Sequence, residues 1–250
     1  MMQLRLAGFV KTISPKSMIE HFKSIKALAD RELKSEKEMG MVELVVMLYN
    51  EHDMAADMIA RLVRHANYPF KLTVLNNTNQ ISPINFSRVW NKCIKETACD
   101  FICFMDSDVF VQEDWLNRLM ESFLDEEVML ALPVMNKTSS NQQRADREAP
   151  YPNAEPLKEI LAAQMVVYRK SVFDKVGLFD ERFLLYGQDS EWGYRFLKSK
   201  LKGVVRRDVW LDHLGSYSIN IMHKEENLEY NPSIEREYAR NLYKYLTTKK

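Results

Sequence analysis

The sequence predicts an α/β fold, a mostly parallel central sheet flanked by helices, and two observations carry that reading. Residues 43–134 alternate short apolar runs with amphipathic stretches, the rhythm of βα units. The composition is that of an ordinary soluble protein: 46% hydrophobic residues and 35 Lys+Arg against 35 Asp+Glu over 250 residues. A chain of this length and make-up forms one large domain or two small ones, and it buries enough surface to need neither disulfides nor a structural metal.

The first strands are expected at 44–48, 72–75, 101–105 and 129–134, each four to six residues long and rich in Val, Leu, Ile or Phe. Helices fill the gaps, starting at Asp53, near Ser87 and after Gln112, where Glu113 and Asp114 suit the positive end of a helix dipole. Residues 136–156 turn polar, hold three prolines and show no apolar periodicity, so a long and mobile surface loop is expected there. A second α/β stretch follows, with a strand at 161–168, a short helix at 170–176 stopped by Gly177, a helix at 189–200 and a strand at 204–210. Met18, Ile19, Phe22, Ile25, Leu28, Ala29 and Leu33 recur at helical spacing, and a last helix is expected over 233–246. The chain then divides into an amphipathic helical extension (1–40), a main domain (41–218) and a helical tail (219–250).

Several function classes are disfavoured at once. Zero net charge without a long basic run argues against a nucleic-acid partner. No two of the seven glycines lie closer than Gly187 and Gly193, so neither a G-x-G-x-x-G fingerprint nor a P-loop is present. Cys93, Cys99 and Cys103 are odd in number and adjoin apolar segments, which suits reduced thiols in a cytoplasmic protein rather than a disulfide framework or a zinc site. No apolar run is long enough for a transmembrane segment and residues 1–10 lack the apolar centre of a signal peptide, leaving peripheral membrane contact open.

The chemistry concentrates at Asp106-Ser107-Asp108, which follows the apolar run Phe101-Ile102-Cys103-Phe104-Met105. Strand alternation would aim both carboxylates the same way from the carboxyl end of a buried strand, where ligands of α/β sheets bind. Oxygen ligands of this kind suit Mn²⁺ or Mg²⁺ together with substrate phosphates. Taken alone, such a triplet is a weak signal, since acidic pairs at strand ends are more often solvated turns or helix caps.

Other segments fit one pattern in order: Val45-Val46-Met47-Leu48-Tyr49-Asn50-Glu51, Asn85-Phe86-Ser87-Arg88-Val89-Trp90-Asn91, the acidic triplet, and Val176-Gly177-Leu178-Phe179-Asp180-Glu181-Arg182-Phe183. Tyr186-Gly187-Gln188-Asp189-Ser190-Glu191, running on to Arg195, and Asp212-His213-Leu214-Gly215-Ser216 complete it. Over roughly 43–218 the chain resembles glycosyltransferase family 2, with the GT-A fold and a smaller acceptor-side portion at its C-terminal end. The resemblance implies a nucleotide-diphosphate sugar donor, a divalent metal, and inverting transfer to a hydroxyl of a glycan or other acceptor. It makes Asp108, Asp106 and His213 metal ligands, with Asp106 also reaching the ribose, and Asp189 the general base. Tyr49, Asn50 and Glu51 become an aromatic and polar rim for the nucleotide. Asn76 takes a position where relatives often carry an aspartate for the base, and Arg88 faces the donor, whereas Trp90 reads as core. UDP is the favoured nucleotide, with guanosine and thymidine nucleotides open. Gln188 stands where an acidic residue is common and Glu191 where a second aspartate is common. Two alternatives stay open: a sugar-nucleotide pyrophosphorylase, whose glycine-rich loop is missing, and a non-catalytic nucleotide-sugar-binding protein. The sugar, the acceptor and the oligomeric state are not legible.

Overall fold

The computed structural model describes residues 3–8, 40–48, 52–76, 85–150 and 153–215. Nine strands form one mixed sheet: β1 (Gln3–Gly8), β2 (Val42–Leu48), β3 (Phe70–Asn76), β4 (Phe101–Met105), β5 (Val109–Val111), β6 (Val128–Met135), β7 (Ala154–Pro156), β8 (Met165–Arg169) and β9 (Lys202–His213). Their order is β1-β3-β2-β4-β8-β6-β9-β5, with β7 also on β9. The first four strands pair in parallel. β8 then runs against both β4 and β6, and β6 is parallel to β9, so β2, β3, β4, β6 and β9 all end at one edge of the sheet.

Strand alternation divides the core into two layers. Val42, Leu44, Val46 and Leu48 of β2 pack under Met58, Ile59 and Leu62 of α1 (His52–His65) and under Trp115, Leu116 and Leu119 of α3 (Trp115–Glu121). Val45 and Met47 face the other layer, with Trp90 and Ile94 of α2 (Phe86–Glu96), Phe173 of α4 (Val172–Val176), and Trp192 and Phe196 of α5 (Gln188–Lys198). Trp90 belongs to this core, stacked on Phe104 with ring centroids 4.9 Å apart.

The structure redraws several sequence expectations. Residues 3–8, assigned above to a helical extension, form β1 on the outside of β3, so the sheet begins ahead of residue 41. Their Gln-Leu-Arg-Leu pattern alternates with period two, too briefly to stand out beside the helical spacing that follows it. The expected helices over 18–33 and 233–246 lie outside the described residues. The strand expected at 161–168 is β8 alone, because 161–164 is a buried connection held by side-chain amides.

The segment 136–156 is no loose loop where it is described. Gln142 Nε2 donates to the Pro156 carbonyl, and Gln142 Oε1 accepts from Lys158 N. Arg207 reaches the Gln142 carbonyl, the Trp210 indole donates to the Ala145 carbonyl, and β7 pairs with β9. Its polar residues are spent on backbone groups, which a count of apolar positions does not register.

β9 is kinked where it matters. Between Pro133 and Val134 of β6 its partner residue jumps from Arg206 to Trp210, a bulge around the buried Arg206–Asp208 ion pair. Arg118 of α3 donates to the Asp208 carbonyl, and Glu121 adds a second carboxylate to Arg206. Beyond the bulge β9 runs antiparallel to β5, pairing His213 with Val109.

Candidate active site

Asp106 and Asp108 converge for a reason other than strand alternation. β4 stops at Met105, and 106–108 is a turn into β5. Asp106 N–H donates to the Gln164 carbonyl and Leu214 N–H to the Asp108 carbonyl, so the turn is anchored to the start of β8 and to the chain after β9. Because His213 sits opposite Val109 in the ladder, its imidazole meets the turn one residue earlier. One ligand atom from each of Asp106, Asp108 and His213 lies within 4.8 Å of the others, the arrangement a single cation requires.

The imidazole is oriented by the residues that follow β6. His213 Nδ1 lies 2.6 Å from the Lys137 carbonyl, which makes Nδ1 the protonated nitrogen and aims Nε2 at Asp108 Oδ1, 3.3 Å away. Asn136 Oδ1 accepts from His213 N, and Asn136 Nδ2 donates to Asp212. Burial opposes charge on the imidazole, yet the hydrogen bond and charge of Asp108, with help from the Lys137 carbonyl and Asp106, push its pKa up to about 9. Without a cation the proton sits between the same ligands.

Asp189 is tied to the connection that precedes β8. α5 begins after Gly187, whose φ of 85° lies in the left-handed region natural to glycine, and Asp189 occupies the first turn without capping the helix. Its Oδ2 accepts from Ala163 N and its Oδ1 from Ser190 N. Burial raises its pKa, partly offset by those bonds. The connection 161–164 therefore holds both carboxylate sites, Asp189 through Ala163 and Asp106 through Gln164. Buried Gln143 fixes that connection in turn, donating to the Ala162 carbonyl and accepting from Ala162 N.

The remaining expected residues fall elsewhere. Asn76 ends β3 level with Leu48, at the sheet edge that carries Asp106. Tyr49, Asn50 and Glu51 lie outside the described residues. Arg88 is exposed and pairs with Glu181. Asn91 and Ser87 of the same helix bind the Phe179 and Phe183 carbonyls, so this face of α2 holds the 178–184 segment in place. Glu191 pairs with Arg195, which also donates to the Val176 and Leu178 carbonyls. Asn136, Lys137 and Gln143 were not among the expected site residues. Their place just past the carboxyl end of a central strand was the available signal.

Residues 81–177 match the family model described as Glycosyl transferase family 2. No curated protein sequence matches the chain. In fold it is similar to a solved structure of GalNAc-T7 with UDP, GalNAc and Mn²⁺, at a TM-score of 0.57 and 12% identity over 81% of this chain. The match spans 53% of that protein, so the chain represents about half of its length. Among the described residues no helix is long and apolar enough to cross a membrane. Over residues 81–177, a stretch that includes β4 and the acidic turn, the chain is similar to glycosyl transferase family 2, and the sheet around them has the GT-A fold.

Proposed function

We propose that this protein is a metal-dependent inverting glycosyltransferase that moves a sugar from a nucleotide-diphosphate donor, a UDP-sugar, to a hydroxyl of a glycan or similar acceptor. The observation that carries the reading is the convergence of Asp106, Asp108 and His213 at the carboxyl edge of the sheet, on the backbone connection that also holds Asp189. Two carboxylates and one imidazole nitrogen fit Mn²⁺, with Mg²⁺ less well served by the nitrogen. A cation held there supplies positive charge to the diphosphate leaving group.

Each protein group then has a defined task. The Lys137 carbonyl keeps the proton on Nδ1 of His213, leaving the Nε2 lone pair toward the carboxylates. Asp189 takes the proton of the acceptor hydroxyl as its oxygen bonds to the anomeric carbon, and the electron pair of the breaking C–O bond leaves with the diphosphate. Ala163 N–H and Ser190 N–H hold both carboxylate oxygens of Asp189 in place. Inversion requires the base and the leaving group on opposite faces of the sugar, which separate elements, the β4–β5 turn and α5, are suited to provide. Tyr49, Asn50, Glu51, Asn76 and Arg88 are proposed for the nucleotide side, and the cytoplasm as the site of action.

A panel of nucleotide sugars with Mn²⁺ and simple glycan acceptors tests the reading. Release of nucleoside diphosphate, with a β-linked product from an α-linked donor by proton NMR, is the expected result. Pyrophosphate-dependent formation of a nucleoside triphosphate, or binding without turnover across the panel, would overturn it.

A further inference from the structure

Charge at the cluster does not balance once a donor arrives. The carboxylates of Asp106 and Asp108 cancel one divalent cation, and His213 contributes a neutral nitrogen. A nucleoside diphosphate leaving group carries several further negative charges that a low-dielectric site must offset. Lys137 is placed to do so. Its carbonyl is fixed on Nδ1 of His213, so its backbone is anchored one hydrogen bond from the metal ligand. Its ammonium is exposed and rests on the neutral carbonyl of Leu214, 2.9 Å away and one residue beyond His213. Among the described residues, Arg88, Arg206 and Arg207 are paired with carboxylates, those of Glu181, Asp208 and Glu155.

The chain around Lys137 is shaped to fit it. Gly215 has a φ of 82°, and a Cβ there would lie 3.2 Å from Lys137 Cδ. A side chain at 215 would both strain the turn and press on the lysine stem. The stem therefore runs along the 213–215 turn, with its ammonium on the Leu214 carbonyl.

We propose that Lys137 is a diphosphate-binding residue, a protein cation that contacts the leaving group of the donor alongside the metal. This rests on the glycosyltransferase reading and assigns one more residue to it. An ammonium-to-phosphate hydrogen bond is worth more than one to a neutral carbonyl, so losing it weakens nucleoside diphosphate binding by about tenfold or more.

Calorimetry on the full chain tests this with Mn²⁺ alone and with UDP, GDP and dTDP in saturating Mn²⁺, the tightest nucleotide being carried forward together with its monophosphate. Lys137→Met should leave Mn²⁺ binding and the melting temperature unchanged. It should weaken the diphosphate by tenfold or more and the monophosphate by less, and Lys137→Arg should restore most of the loss. Arg144→Met removes another cation of the same segment, bonded to the Thr138 carbonyl, and should have little effect. Equal diphosphate affinity in wild type and Lys137→Met, or equal losses from Lys137→Met and Arg144→Met, would overturn the assignment while leaving the glycosyltransferase reading intact. Absence of Mn²⁺-dependent nucleotide binding in the wild type would overturn both.

Discussion

Gln142 and Gln143 are neighbours with similar hydrogen-bond inventories and opposite surroundings, which makes them a controlled comparison. Gln143 is fully buried, and its amide closes a two-bond ring with the backbone of Ala162, itself fully buried. Gln143→Ala leaves the Ala162 N–H and C=O without partners where water does not reach. Each orphaned group costs about 1–3 kcal/mol, so the two together cost roughly 2–6 kcal/mol. At this chain length, at about 2–4 °C per kcal/mol, that lowers the melting temperature by roughly 4–24 °C. Gln142 also binds backbone, at Pro156, Lys158 and Glu159, but in solvent-facing bonds that water replaces. Gln142→Ala should therefore cost less than about 1 kcal/mol. Thermal and urea unfolding of the two variants beside wild type reads the difference directly. Equal losses, or a larger loss from Gln142→Ala, would refute the premise that burial of the orphaned groups sets the cost. Because Ala163 and Gln164 adjoin the broken contact, Gln143→Ala should also lower transfer more than it lowers Mn²⁺ affinity.

Three further outcomes are expected. Asp108→Ala should abolish donor turnover, by at least about 10²-fold, with the fold retained by circular dichroism, and EDTA should have the same effect on wild type. Asp189→Asn should keep donor binding and lose about 10²–10⁴-fold in kcat. Because the buried Asp189 carboxyl holds its proton to higher pH than in the unfolded chain, it makes wild-type stability fall as pH rises above the ordinary carboxylate range, and Asp189→Asn should flatten that fall in unfolding titrations. In metal-free protein the His213 pKa of about 9 means that the Asp108 pair stabilises fully below about pH 6.5 and that this contribution is lost as pH rises through 9. The loss is on the order of 3 kcal/mol, and His213→Gln should remove the dependence from melting curves between pH 6 and 10.

The legible part of the fold is the part buried on two faces. β2, β3, β4 and β6 show as continuous apolar runs because helices cover both sides of the sheet, and their expected bounds differ from those observed by at most two residues at either end. The three-residue strands β5 and β7 have no periodicity to detect, being paired through β9 rather than through their own pattern. Leu161, Ala162 and Ala163 read as strand because they are apolar and buried, yet side-chain amides rather than a ladder satisfy that backbone. Composition reports burial, and here burial and strand part company.

The site divides along the same line. Asp106 and Asp108 could be proposed from the sequence because they follow the end of an apolar run, where α/β folds place ligand groups, whereas His213 and Asp189 came from the family resemblance. What joins them could not, since it consists of main-chain bonds: Asp106 N to Gln164 O, Leu214 N to Asp108 O, Asp189 to Ala163 N, and His213 Nδ1 to Lys137 O. Such bonds depend on where two distant backbones meet and place little demand on side-chain identity. Their coherence has a mechanical source. The β9 bulge around Arg206–Asp208 resets the register against β6 from Arg206 to Trp210, and the strand beyond it carries the β5 ladder that sets His213 beside Asp108. The buried ion pair thus sits at the register shift on which the position of His213 depends. Asp208→Ala, which leaves the buried Arg206 guanidinium with the more distant Glu121 carboxylate alone, should weaken Mn²⁺ binding as well as the fold, whereas Arg207→Ala, next in sequence but half-exposed, should leave the cation affinity unchanged.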